Sequence, residues 1–368
     1  AGRRRGQAAR WRRVEVRYVD LKAGPHLQVT AYDATQAFTS NHAVGPASEH
    51  AIAELLAEPF GNWHVDTVDA TVQLRVTKKG EAMVHRRSAS APVGPDQDRH
   101  HDRTRPRLLD PGDPFVAALG GGERKRRQVE ELLRALVPAL REVLEAGRLR
   151  RPSTAAPLRV ADLGCGNGYL TFAVHHHLTS ALDLPTEIVG VDVKEQSKAH
   201  NDALARRLGV EGTATFVVAP IGGVVLEPPP EVVLALHACD TATDDVLARA
   251  LGWGSAVVLA APCCHHDIAA QLRRAQDKGP YAVLTRHGIL RERLADTLTD
   301  GLRAAILRRE GYRVDVVEFV ESKHTPRNTL LRAVRTGAAS PTAAQEVEAI
   351  TGAWSLRPAL EDRLARLR

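Results

Sequence analysis

The chain has 368 residues, with 50 basic against 44 acidic side chains, a net charge of +6 and four cysteines. That length allows two or three domains and a sizeable core, while no apolar run is long enough to span a bilayer. Four cysteines in so long a chain argue against a disulfide-stapled scaffold and for a reducing, cytoplasmic setting. The opening AGRRRGQAARWRR is charged and lacks the apolar stretch of a secretory signal. The mild basic excess permits nucleic-acid binding without requiring it. Aromatics make up only 4% of the chain, so base-stacking platforms are not evident.

Residues 1–87 read as a small α+β domain. RRVEVRYVDL and HLQVTAYD alternate as strands do, SEHAIAELLAE carries a helical stripe behind a serine, and ATVQLRVTKKGEAMVHRR reads as two strands about a turn. Residues 88–122 are expected to form a linker or mobile loop, rich in Pro, Asp, Arg and His. Its His100, His101 and Arg103 read as solvated linker charge. ERKRRQVEELLRALVPALREVLEAG then spells a long amphipathic helix from Glu123 to Gly147.

Beyond that helix, apolar strand patterns alternate with helical ones. The strands are LRVADLG, EIVGVDV, ATFVVAP, EVVLALHA, SAVVLAAP and YRVDVVEFV, the last able to pair with NTLLRAVR. This predicts an α/β, Rossmann-like domain over residues 123–336, built on a mostly parallel sheet covered on both faces. Residues 337–368 read as a helical tail.

The first of these strands runs into a glycine-rich turn, DLGCGNGY. Gly164, Gly166 and Gly168 let the backbone turn sharply and approach a ligand without Cβ obstruction. A dinucleotide-binding fingerprint would place its third glycine at position 169, where helix packs on strand. Tyr169 stands there, too large for the role. The second strand ends in Asp192, placed to accept the hydroxyls of a ribose.

Asp162, the G-x-G-x-G spacing and Asp192, in that order, resemble motif I and its partner acid in class I S-adenosylmethionine (SAM)-dependent methyltransferases. The resemblance implies a seven-stranded fold and SAM as cofactor. Gly164, Cys165, Gly166 and Gly168 would lie along its methionine moiety and Asp162 near its ammonium. Asp192 and Val193 would hold the ribose side, with Leu236 also near the cofactor. Many members of that family carry an acid after the third strand for the adenine. Here the loop reads VVAPIGG, so backbone groups around Ala219, Pro220 and Ile221 are expected to serve.

The acceptor would enter across the ends of the fourth and fifth strands, which read LHACD and APCCHH. These blocks, the Lys-x-x-Gln-Val segment in ERKRRQVEELL and the closing VESKHTPRNTLLRAVR resemble a methyltransferase-like subgroup of the same class. That subgroup also contains proteins with a glutathione S-transferase C-terminal-like region. The resemblance covers about residues 123–336.

The cysteine and histidine residues admit several readings. Zinc is disfavoured because adjacent Cys263 and Cys264 would point to opposite faces of a strand, and no metal is expected. A redox pair is disfavoured by the lack of C-x-x-C. RNA cytosine-C5 methyltransferases place cysteines where Cys239 and Cys263 stand, but the surrounding motifs are absent. The favoured reading is a close-packed pocket rim, with His237 as general base and His265 as the second candidate. Ser322, Lys323, His324, Arg327 and Asn328 sit at the last strand turn, as substrate contacts or solvated polar groups.

The sequence thus points to a cytoplasmic SAM-dependent methyltransferase. Structured RNA is the leading acceptor, because a separate domain with an arginine-rich start suits backbone contacts. A protein or a small molecule is the alternative, and no membrane partner is expected. The rival from another class is a non-catalytic interaction module that has kept the fold.

Overall fold

The computed structural model describes residues 9–33, 36–67, 70–77, 81–88, 107–236, 238–262, 264–275, 282–319 and 328–367, and the chain divides into two compact units at Arg107/Leu108.

In the first unit, β1 (Arg13–Leu21), β2 (Gly24–Tyr32) and β3 (Ala37–Ala43) form one antiparallel sheet. After α1 (Pro46–Ala57), β4 (Asn62–Asp66), β5 (Ala70–Val76) and β6 (Ala82–Ser88) form a second. The period-2 pattern splits the first sheet into unlike faces. Leu27, Val29 and Ala31 are buried on one. On the other, the Arg17 guanidinium donates to Gln28 Oε1, and the Gln28 amide donates to Asn41 Oδ1 at 3.1 Å. This polar row is one hydrogen-bonded cross-strand ladder. Strands β3 and β4 were not expected, because AFTSNHA lacks the apolar alternation that reveals a strand and NWHVD alternates over only five residues.

The second unit begins with α2 (Pro114–Leu119) and α3 (Glu123–Glu145). Residues 108–122 are therefore packed structure, where a linker was expected. Leu109 and Val116 are buried in the main core, and the Leu109 amide donates to the buried Glu130 carboxylate at 3.1 Å. Asp113 caps α2 through the amides of Phe115 and Val116 and lies 2.9 Å from His176 Nε2, whose ring stacks on Phe115 at 4.3 Å. Two apolar anchors and a cap in fifteen residues left too little periodicity to read. The stretch 89–106 lies outside the described residues.

From there β7 (Leu158–Leu163), α4 (Tyr169–His176), β8 (Thr186–Asp192), α5 (Glu195–Leu208), β9 (Ala214–Val218), β10 (Val232–Ala235), α6 (Thr241–Trp253), β11 (Val257–Ala260), α7 (His266–Arg274), α8 (Ala282–Arg286), α9 (Gly288–Arg309), β12 (Tyr312–Glu318), β13 (Thr329–Arg335), α10 (Pro341–Trp354) and α11 (Ala359–Leu367) complete the unit. The sheet order is β12-β13-β11-β10-β7-β8-β9, parallel except for β13, which runs antiparallel to both β11 and β12. The chain winds outward from β7 to β9, then returns to the other side of β7 as β10. That reversal creates a switch point at the carboxyl ends of β7 and β10, where open α/β sheets bind ligands.

Alternate strand residues feed two cores, one on each face. Val160, Ile188, Leu234 and Leu259 join Leu136 and Leu140 of α3 and Phe172 of α4. Ala161, Val233, Val258 and Leu331 join α6, α9 and the last two helices. Val347, Leu360 and Leu364 of those helices belong to this second core. The expected tail is therefore an integral layer of the unit.

Candidate active site

A cavity of about 430 Å³ opens at the switch point. The loop after β7 contributes Gly164, Cys165, Gly166 and Asn167; the end of β8 contributes Asp192, Val193 and Lys194; the end of β10 contributes Leu236, Ala238 and Cys239. Helix α3 closes it with Lys125, Gln128 and Val129, and α4 with Tyr169 and Leu170.

The glycine loop is shaped by backbone demands. Gly164, Gly166 and Gly168 all have positive φ, at 85°, 52° and 67°, a region costly for residues with a Cβ. Gly168 starts α4 and has no room for a side chain: a Cβ would meet Asn201 Oδ1 at 2.8 Å and the Phe172 ring at 3.0 Å. Asn201 in turn donates to the Gly166 carbonyl at 2.8 Å. Gly168 thus lets the loop turn tightly into α4, and it does not line the cavity.

Asp192 pins the same loop from the next strand. Its Oδ2 accepts from the Gly166 amide at 2.9 Å and its Oδ1 from the Lys194 amide at 3.0 Å. Each oxygen keeps lone-pair capacity for a further donor, so the carboxylate can still receive a pair of vicinal hydroxyls. Val193, Ile221 and Leu236 supply apolar surface beside it.

Asp162, 1% exposed, forms the floor. Burial pushes its carboxyl up to about 7; the Thr171 hydroxyl, donating at 2.6 Å, pulls it back and the nearby Asp192 charge adds to the rise. A cationic ligand group above Asp162 would restore its ionised form. Burial, then Asp162 and Asp192, raise the Cys165 thiol far above its usual range. Cys165 is therefore an inert wall residue.

Among the expected cofactor neighbours, Asp162, Gly164, Cys165, Gly166, Asp192, Val193 and Leu236 line the cavity, whereas Gly168, Ala219 and Pro220 do not. The Ala219 amide is already committed to the Asp192 carbonyl at 3.0 Å, and proline has no amide to offer. The expected backbone donors for adenine thus reduce to Ile221 and its neighbours.

The cysteine–histidine group separates. His237 and Cys263 lie outside the described residues, as do Ser322, Lys323, His324 and Arg327. Asn328 donates to Glu318 Oε1 across the β12–β13 pair. Cys239 lines the cavity and is disulfide-bonded, while Cys165 is a free thiol. The sequence disfavoured a redox pair for want of local C-x-x-C spacing.

His265 is corrected as well: it is 3% exposed and does not line the cavity. Its Nε2 lies 3.0 Å from Asp300 Oδ1 and its Nδ1 3.0 Å from Asp296 Oδ1, both on α9. Next to it, Arg303 forks onto Asp244 with bonds of 3.0 and 2.7 Å and donates to the Asp240 carbonyl at 2.8 Å. This network ties α9 beneath the ends of β10 and β11, so His265 is structural. Among the described residues no group of three or more His, Cys, Asp or Glu is arranged to hold a metal ion, and no helix is long and apolar enough to cross a membrane.

A protein-family model described as a methyltransferase domain matches residues 124–271, from the start of α3 into α7. Over these residues the chain resembles a methyltransferase domain. Protein-lysine N-methyltransferase efm4 of Schizosaccharomyces pombe is 39% identical over 75 residues, which take in 20% of this chain and 28% of that protein. The chain thus matches little more than a quarter of that curated relative's length. Among solved structures, the ribosomal protein L11 methylase of Lactobacillus delbrueckii subsp. bulgaricus aligns at 14% identity and a TM-score of 0.34, covering 59% of this chain and 80% of that one. A geranyl diphosphate methyltransferase in complex with SAM aligns at 17% identity and a TM-score of 0.32, covering 62% and 94%.

Cavity residues that the sequence reading missed are Lys125, Gln128, Val129, Asn167, Tyr169, Leu170, Lys194, Ala238 and Ala242. For the first three a signal existed. The Lys-x-x-Gln-Val run spaces them three and four apart, on one helical face.

Proposed function

We propose that the whole chain is a SAM-dependent methyltransferase whose acceptor is a lysine side chain of a protein. The observation that carries the cofactor half is convergence. Asp162, the glycine loop and Asp192 lie far apart in sequence, and all line one cavity at the sheet's switch point. Their chemistry suits SAM: an acid beneath the ammonium, a carboxylate for the ribose hydroxyls, and apolar Val193, Ile221 and Leu236 against the adenine faces. The cofactor supplies a methyl group already activated on a sulfonium. The protein's part is then in-line positioning, exclusion of water and removal of the acceptor's proton.

The partial likeness to a protein-lysine methyltransferase supports the acceptor half. A lysine enters as an ammonium and must lose a proton before it attacks. His237, at the end of the fourth strand, is the proposed base, since His265 is committed to Asp300. The first unit is proposed to recognise the target protein.

The test is transfer of radiolabelled methyl groups from SAM into fractionated protein, RNA and metabolite pools from cells lacking the protein. Label in protein, recovered as methyl-lysine on hydrolysis, is expected. Label confined to RNA would replace the acceptor assignment and keep the cofactor. A His237→Ala variant should lose turnover near neutral pH and recover part of it as pH rises toward the lysine range.

A further inference from the structure

Tyr169 is the residue that breaks the dinucleotide fingerprint, and its surroundings give it a use. The side chain is 5% exposed and lines the cavity, yet its hydroxyl is buried with no hydrogen-bond partner. A buried hydroxyl left unpaired is costly, so such a group in a cavity wall marks a place where a ligand completes the bonding. Burial also raises the phenol above its ordinary range, with Arg126 acting against that rise and Glu130 adding to it. The hydroxyl therefore stays a neutral donor.

The ring is held from two sides. Gly121, at φ 84°, packs so closely that a Cβ there would meet the ring at 2.8 Å. From α3, the Lys125 ammonium sits over the ring face, 4.9 Å from its centroid, a cation–π contact. Gln128, one turn along α3, lines the same wall.

Charge assigns this wall its ligand group. Among the described residues the cavity is lined by two acids, Asp162 and Asp192, and two cations, Lys125 and Lys194. The Lys194 amide bonds Asp192, which puts that lysine at the ribose end. Asp162 takes the ammonium of the cofactor's amino acid. The remaining charged group is the α-carboxylate, and the remaining cation is Lys125, directly above an unpaired donor.

We propose that Lys125, Tyr169 and Gln128 form a carboxylate subsite that selects ligands bearing an intact amino-acid end. This rests on the SAM assignment above and goes beyond it by naming a specificity determinant on α3. Lys125 supplies the charge, Tyr169 a fixed donor and Gln128 an adaptable amide. Tyr169 thus excludes a dinucleotide by its bulk and recognises an amino acid by its hydroxyl.

The experiment is calorimetry on the full chain with SAM and with decarboxylated SAM, which lacks only the carboxylate. Wild type should prefer SAM by about 100-fold. Lys125→Met should weaken SAM by about 10- to 100-fold and leave decarboxylated SAM unchanged. Tyr169→Phe should do the same by about 3- to 10-fold, and Lys125→Arg should retain most of the preference. Lys125 is on the surface, so its variants do not threaten the fold. Equal loss for both ligands, or no change in Lys125→Met, overturns the subsite while the cofactor assignment stands. Failure of wild type to bind either ligand overturns both.

Discussion

Asp162 and Asp244 are buried acids of the same unit, one ending β7 and the other in the first turn of α6, and they are held in opposite ways. Asp244 receives both arms of the Arg303 guanidinium, and that guanidinium is itself shared with Asp300 and the Asp240 carbonyl. Among the described residues Asp162 has a neutral hydroxyl and no cation as partner, and burial drives its carboxyl up to about 7. The paired acid fixes α9 to the sheet. The unpaired one faces the cavity, poised for a cation from outside. An acid whose charge is satisfied within the fold is architecture, whereas one left wanting is a receptor.

The largest expected effect comes from breaking the paired side. Arg303→Met leaves Asp244 and Asp300 buried without their cation and should destabilise the chain by about 3–5 kcal/mol, read by denaturant unfolding. Arg303→Met combined with Asp244→Leu removes both charges and should regain much of that loss. If the single variant costs less than about 1 kcal/mol, the network is not what anchors α9.

Next in size is the cavity's other acid. Asp192→Ala should lower SAM affinity by about 10- to 100-fold in calorimetry, since hydrogen bonds to a charged group are each worth about 1.5–3 kcal/mol. The loop amide of Gly166 would lose its partner too, so part of the loss should appear as a looser glycine loop.

A smaller effect, of unusual sign, is expected at Asp162. Its carboxyl is raised in the fold from 3.8 to about 7, so the native state holds the proton more tightly than the unfolded chain. That contribution is complete below about pH 4 and is lost as pH rises through 7. At pH 8, Asp162→Asn should therefore stabilise the ligand-free protein, by about 1–2 kcal/mol, while weakening SAM binding by about 3- to 10-fold. A gain in stability tied to a loss of function is what an unpaired receptor acid predicts, and the reverse of the Arg303 result.

The sequence made much of this legible and hid the rest for physical reasons. The glycine loop, Asp162 and Asp192 could be read because each is a local device: a turn that only glycine tolerates, and acids at strand ends. The central strands β7, β8, β10 and β11 could be read because buried parallel strands are nearly continuous in apolar residues. Lys125 and Tyr169 meet only through tertiary packing between α3 and α4, and neither reads as a ligand group alone. His265 misled for the same reason. Next to Cys264 it invites a catalytic reading, but the acids that claim it lie more than thirty residues on. In the segment 108–122, the apolar anchors Leu109 and Val116 are seven residues apart, but Asp110, Pro111, Gly112, Asp113 and Pro114 between them read as a turn and hide the spacing.

The mildest expected perturbation is also the most direct measure of the contrast between the two acids. Thr171→Val keeps shape and burial but removes the hydroxyl that donates to Asp162 at 2.6 Å. Losing one hydrogen bond to the charged form should move the midpoint of SAM binding upward by about one pH unit. Affinity should fall several-fold at pH 7 and be unchanged at pH 9, where Asp162 is ionised in both proteins. The same substitution logic fails for Asp244, whose charge is fixed by Arg303 rather than by a neutral donor. A uniform loss at both pH values would mean that Thr171 shapes the cavity rather than tuning its acid. A loss confined to low pH would mark Thr171 as the group that keeps Asp162 ready for its cation near neutrality.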